Sequence, residues 1–211
     1  MATTTNRIHR LLVIDPGEST GYASFETVND ITTLLNYGDY HIDGDSGGSQ
    51  CISMKNKVLE LIITHTPNHV VVEDFFFRSA RANGSIMNAA LRAASWMACV
   101  ESEVTYTTIS PLKWKIGITG RCKANSIEKN KWGVLAEKVR VQDALWTSYG
   151  IRFANHSLSY KTNKAVKLRY DAIDAVAIGI DYIRREFAIQ KIKSTSLNSD
   201  HENVISVYTY M

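Results

Sequence analysis

Arg10-Leu-Leu-Val-Ile-Asp15-Pro-Gly-Glu-Ser-Thr-Gly21-Tyr is the stretch on which the fold turns. A short apolar run ending in Asp-Pro-Gly reads as a buried strand that meets a turn. Residues 21–26 and 32–40 alternate loosely and fit two further strands, which gives an antiparallel meander of three. The polar loop His41-Ile-Asp-Gly-Asp-Ser-Gly-Gly48 leads into a helix over 50–66, with Ile52, Val58, Leu61 and Ile62 on its apolar face. His69-Val-Val-Val-Glu73 is continuously apolar up to its acid, as a central parallel strand is. A helix over 84–100, a β-branched strand over 103–109, a helical stretch over 124–149 and a helix over 171–187 follow. This order predicts an α/β fold with a five-stranded mixed sheet flanked by helices.

The chain has 211 residues, enough for one domain with a sizeable core and a tail. Residues 1–187 form the expected domain, with a basic insertion over 130–169, and the polar residues 188–211 read as a mobile tail. Within the tail, Val204-Ile-Ser-Val-Tyr alternates as an added edge strand would. No apolar run approaches the ~18 residues of a membrane span. The first residues lack the apolar stretch of a secretory signal, and three scattered cysteines make no framework. The expectation is therefore a cytoplasmic protein that is neither secreted nor membrane-bound. The formal charge is only +3, yet it is unevenly divided. Residues 1–110 carry 7 Lys/Arg against 12 Asp/Glu, residues 111–169 carry 13 against 3, and residues 170–211 carry 4 against 6. The middle excess of +10 is the footprint of a polyanion partner, and aromatics such as Trp114, Trp132 and Tyr149 are interleaved with it. A solvated helical face and ordinary core aromatics are the plain alternatives.

Four acids stand in costly places. Asp15 ends an apolar strand, Glu73 lies within Val-Val-Val-Glu-Asp-Phe-Phe-Phe, and Asp171 and Asp174 share one face at the start of an apolar helix. Singly, each has an ordinary reading as a turn former, an edge-strand residue or a helix cap. Together they converge if the first and fourth strands are neighbours. Like charges ~4 Å apart repel by about 4 kcal/mol per pair at an effective dielectric of ~20. Such a cluster is sensible around divalent cations, and oxygen-only ligands favour Mg²⁺ or Mn²⁺. Two such ions suit phosphodiester cleavage.

Val13-Ile-Asp15-Pro-Gly-Glu-Ser-Thr-Gly21-Tyr resembles the opening motif of RuvC-type Holliday junction resolvases, a ribonuclease H-like family. Val71-Val-Glu73-Asp-Phe-Phe76 resembles their second motif, and Pro111-Leu-Lys-Trp-Lys115-Ile-Gly-Ile-Thr-Gly120 their basic segment. Tyr170-Asp171-Ala-Ile-Asp174 resembles the start of their closing helix. The resemblance spans residues 8–187 in the family's order. It implies a homodimeric, Mg²⁺-dependent endonuclease that resolves four-way DNA junctions by paired symmetric nicks with metal-activated water. Two ions are implied, and Mn²⁺ would substitute. On this resemblance Asp15, Glu73, Asp171 and Asp174 are catalytic and metal-binding, Phe76 stacks on a base at the crossover, and Lys115 contacts phosphates near the scissile bond. Lys113, Arg121, Lys123 and Lys129 complete the expected DNA-binding set. The apolar helix 84–100 is the expected dimer face, with burial inside its own domain as the alternative. The family's second lysine falls at Ser126 here, so Lys123 or Lys129 is left to cover it. The long segment 130–169 holds eight basic residues, which points to a widened DNA surface and a divergent member of viral or phage type.

Three rival readings remain. Ile14–Gly21 also resembles the first phosphate loop of actin-like ATPases and sugar kinases, but a second lobe and an adenosine-binding glycine segment are missing from the sequence. A non-catalytic junction binder is opposed by the presence of all four acids. A nuclease for other branched DNA or RNA/DNA hybrids stays open, because phosphate contacts position a nucleic acid without specifying it.

Overall fold

The computed structural model describes residues 9–29, 31–74, 82–151, 153, 170–187 and 191–194. Strands β1 (His9–Asp15), β2 (Ser19–Val28) and β3 (Ile31–His41) form the antiparallel meander. Helix α1 (Gly47–His65) precedes β4 (His69–Glu73), which pairs with β1 in parallel. Helix α2 (Ala82–Glu101) precedes β5 (Thr105–Ile109), which extends the sheet parallel to β4. Helices α3 (Pro111–Thr119), α4 (Ser126–Trp132), α5 (Ala136–Tyr149) and α6 (Tyr170–Phe187) follow, and β6 (Lys191–Ser194) closes the far edge. The strand order is β5-β4-β1-β2-β3-β6.

The continuous apolar character of β1 has a direct cause. Its side chains alternate between two separate cores, one on each face of the sheet. Leu11 and Val13 join Phe25, Trp114, Leu145 and the buried stripe of α6, whereas Leu12 and Ile14 join Met54, Val58 and Leu91 from α1 and α2. Asp15 follows the four core residues, joins neither core and closes the strand at the sheet's end.

Three expectations change. The five expected strands are all present, and a sixth is added by Lys191–Ser194, which pairs in parallel with β3. This strand belongs to the segment read as a tail, while Val204–Tyr208 lies outside the described residues. The single helical stretch over 124–149 is broken: α4 ends at Gly133 in a positive-φ conformation, and a 3₁₀ turn over Gly133–Leu135 precedes α5. Helix α3 was not anticipated, because Pro111-Leu-Lys-Trp-Lys reads as a basic segment. It is nonetheless well delimited, by Pro111 in its first turn and by Gly120 in the left-handed conformation at its end.

Candidate active site

The strand side of the site follows from the parallel pairing of β1 and β4. That register runs from Leu11 opposite His69 to Ile14 opposite Val72, so the next residues, Asp15 and Glu73, end their strands side by side. The two carboxyls hydrogen-bond to each other. Burial pushes the Asp15 carboxyl well above the usual carboxylate range, and the charges of Glu73 and Asp174 add to the effect against the opposing pull of Lys138. Burial also raises Glu73, although its hydrogen bonds to Asp15 and Trp114 act in the other direction. The indole Nε1 of the fully buried Trp114 donates to Glu73 Oε1 at 2.6 Å. Trp114 therefore anchors α3 in the core and fixes the orientation of Glu73.

The helix side depends on Gly21. This residue sits opposite Asp15 in the β1–β2 ladder, and a Cβ built on it would lie 1.9 Å from the backbone oxygen of Asp171. The absence of a side chain lets the start of α6 lie directly on β2. Asp171 and Asp174 thereby reach the same end of the sheet as Asp15. Asp174 is only 4% exposed. Its Oδ2 accepts from Lys138 of α5, whose Nζ is also 3.7 Å from Asp171 Oδ1. The other oxygen, Asp174 Oδ1, is buried without a hydrogen-bond partner. Burial acts to lower the Lys138 ammonium's pKa, but Asp174, Asp15 and Asp171 outweigh it and hold the group charged, well above its ordinary value.

The four carboxylates thus come together from β1, β4 and α6, as the sequence led us to expect. Among the described residues, however, no three His, Cys, Asp or Glu side chains stand in a chelating arrangement. Lys138 bridges the two helix-side acids instead. The donor set still fits a hard divalent cation. It is all oxygen, it contains a buried carboxylate oxygen without a partner, and it gathers more acidic groups than one lysine neutralises.

The expected DNA-binding residues fall into different settings. Phe76 lies outside the described residues. Lys113 is exposed on α3, and Lys115 lies partly buried with its Nζ 5.2 Å from the Trp114 ring centre. Lys115 is also 4.0 Å from Glu137 and lowers the Glu73 carboxyl. Arg121 pairs with Glu128 at the start of α4. Lys123 and Lys129 are exposed, and the backbone oxygen of Lys123 accepts from Arg140. Ser126, where the resemblance would put the family's second lysine, opens α4 behind the Asn125 cap.

Reading the sequence missed Lys138 and the bond from Trp114 to Glu73. A signal for Lys138 does exist: at helical spacing it shares a face with the buried Val141 and Leu145, an unusual position for a lone lysine. Lys138 and Arg140 are both turned towards protein partners, so part of the basic excess is used inside the molecule. Helix α5 is also integral to the core rather than an appended surface. Helix α2 buries Leu91, Ala94 and Ala98 against its own domain and leaves Ile86, Met97 and Val100 more than 60% exposed. No described helix is long and apolar enough to cross a membrane.

The family model described as "Crossover junction endodeoxyribonuclease RuvC" matches residues 11–138. The fold is similar to that of Thermus thermophilus RuvC in complex with a Holliday junction substrate, at 17% identity and a TM-score of 0.56, over 84% of this chain and 96% of that one. Thermus thermophilus RuvC in a second structure matches at the same identity and TM-score, over 86% and 98% of the two chains. The yeast mitochondrial Holliday junction resolvase Ydc2 matches at 16% identity and a TM-score of 0.50, over 86% and 80%. No curated protein sequence matches. At such identities the structures speak for the shared fold, whereas the family match takes in β1 to β5, α3 and the lysine that meets the helix-side acids, and ends before α6. With more than half of its length matched, the chain belongs to the RuvC family of crossover junction endodeoxyribonucleases.

Proposed function

We propose that the protein resolves four-way DNA junctions by paired symmetric nicks, as a homodimer that depends on Mg²⁺. The convergence of Asp15, Glu73, Asp171 and Asp174 on one sheet end, with a buried and unpartnered oxygen on Asp174, carries this reading. These four side chains would hold the divalent ions, two of them in the proposal, with Mn²⁺ as a substitute. Bound there, such ions supply Lewis acidity and an activated water for phosphodiester hydrolysis.

The chain's own residues prepare the site. Trp114 holds one oxygen of Glu73 and so aims the other. Gly21 admits α6, which brings Asp171 and Asp174 to the strand acids. Lys115, beside Glu73, would contact phosphates near the scissile bond, while Lys113, Arg121, Lys123 and Lys129 would neutralise phosphates farther along the arms. Phe76 follows Glu73 closely in sequence, and we assign it the stacking role at the opened crossover. The exposed apolar stripe Ile86, Met97 and Val100 on α2 supports dimerisation through that helix, which would supply two active sites for two nicks. Residues 1–187 would form the nuclease domain, acting in the cytoplasm, with 188–211 as an accessory tail.

The test is to incubate the purified protein with a mobile four-way junction, a Y-fork and linear duplex, in Mg²⁺ or in EDTA. Paired nicks confined to the junction and to Mg²⁺ are expected. Equal cutting of the fork would shift the substrate to branched DNA in general, and cutting in EDTA would contradict the metal assignment.

A further inference from the structure

Lys138 stands where a purely catalytic carboxylate cluster has no need of a lysine. Its ammonium donates to Asp174 Oδ2 and lies 3.7 Å from Asp171 Oδ1, so a single cation spans both helix-side acids. It is delivered by α5, whose Val141 and Leu145 are fixed in the core beside α6. The backbone of Lys138 is therefore held, and only its long side chain has to move for the ammonium to change partner. A divalent ion drawing on the same Asp171 and Asp174 oxygens must contend with the ammonium for them, and a cation so close also repels it.

We propose that Lys138 is the built-in counter-cation of the metal-free site, and that divalent metal and Lys138 compete for Asp171 and Asp174. Metal entry releases the ammonium from Asp174 while its backbone stays at the site's edge, where the freed charge meets the negative phosphate of bound DNA. The cluster is thereby kept assembled without metal, and Lys138 is made available to DNA only when metal is present. This inference rests on the metal-site reading proposed above.

The test uses the full chain and Mn²⁺ titrated calorimetrically, without DNA. Lys138→Met is expected to bind Mn²⁺ about tenfold more tightly than the wild type, a shift of about 1.4 kcal/mol. Lys138→Arg keeps the charge and is expected to stay close to the wild type. In EDTA, Lys138→Met should melt below the wild type, and saturating Mn²⁺ should close the gap. Equal or weaker Mn²⁺ binding by Lys138→Met would overturn the competition while leaving the cation site standing. If neither the wild type nor Lys138→Met takes up Mn²⁺, the metal-site reading fails, and this inference fails with it. Should Lys138→Met not fold, acylation of the wild type read by mass spectrometry decides: Lys138 is expected to label faster in Mn²⁺ than in EDTA, and unchanged labelling would overturn the release.

Discussion

Asp15 and Glu73 answer burial with one another and with an indole, whereas Asp171 and Asp174, on the helix seated against the same sheet end, answer it with a lysine. The strand pair hydrogen-bonds within itself and to the Trp114 indole, and burial raises both of its carboxyls. The helix pair has an ammonium in direct contact. The contrast follows from where each element comes from. Strands β1 and β4 are sealed on both faces by core, so only their ends and the incoming α3 are available as partners. Helix α6 presents its first turn to α5, whose long lysine can reach across. One site thus contains a half whose hydrogen bonds come from no cation and a half with an ammonium in direct contact, and substitutions on the two sides should behave differently.

The largest expected effect is on the strand side. Glu73→Gln should lower Mg²⁺-dependent junction cleavage by about 10³-fold, equivalent to roughly 4 kcal/mol of transition-state stabilisation, with junction binding retained. Near-normal cutting by this variant would remove Glu73 from the active site. Joining the two halves depends on Gly21. Gly21→Ala should destabilise the protein by about 2 kcal/mol and depress cleavage, since the new methyl group meets the Asp171 carbonyl. Unfolding in denaturant measures the first effect and junction cleavage the second, and an unchanged midpoint would show that α6 is not seated by this contact.

Trp114→Phe sharpens the strand half alone. It leaves most of the packing but removes the donor to Glu73 Oε1, which should slow cleavage about tenfold for a charge-assisted bond worth about 1.5 kcal/mol. If stability falls while the single-turnover rate does not, Trp114 only packs. The sign of the pH dependence is also set on this side. Asp15 has a folded-state pKa raised above its unfolded value, so its contribution to stability is complete below the usual carboxylate range and is lost as pH rises through the elevated value. Melting in EDTA should therefore fall over that rise, and less steeply in Asp15→Asn. Identical slopes would refute the burial argument. The smallest effect is expected from Lys115→Gln, which should weaken junction binding and reduce the salt slope by about one unit. An unchanged slope would take Lys115 off the list of phosphate contacts.

Much of this site is legible in the sequence, and for a physical reason. A carboxylate at the end of an apolar run is expensive, so Asp15 and Glu73 announce themselves, and the i, i+3 spacing of Asp171 and Asp174 places both on one helix face. Parallel pairing of the first and fourth strands then brings the acids together. What the sequence hides is long-range. Lys138 is one of thirteen basic residues over 111–169, and its place on the face of Val141 and Leu145 turns it inward without naming the acids it meets. Trp114 reads as a base-stacking or core aromatic, and only the approach of α3 to β4 makes it a donor to Glu73. The sixth strand is not legible because Lys191-Ile-Lys-Ser194 is short and polar, with pairing to β3 rather than propensity to recommend it.

On the proposed reading, two differently balanced pairs of acids form one divalent-cation site. Anomalous diffraction from crystals grown with Mn²⁺ tests it most directly. Manganese coordinated jointly by strand-side and helix-side carboxylates, with the Lys138 ammonium withdrawn from Asp174, is the expected result. Crystals in saturating Mn²⁺ that show no manganese at these acids, with Lys138 still bridging Asp171 and Asp174, would contradict it.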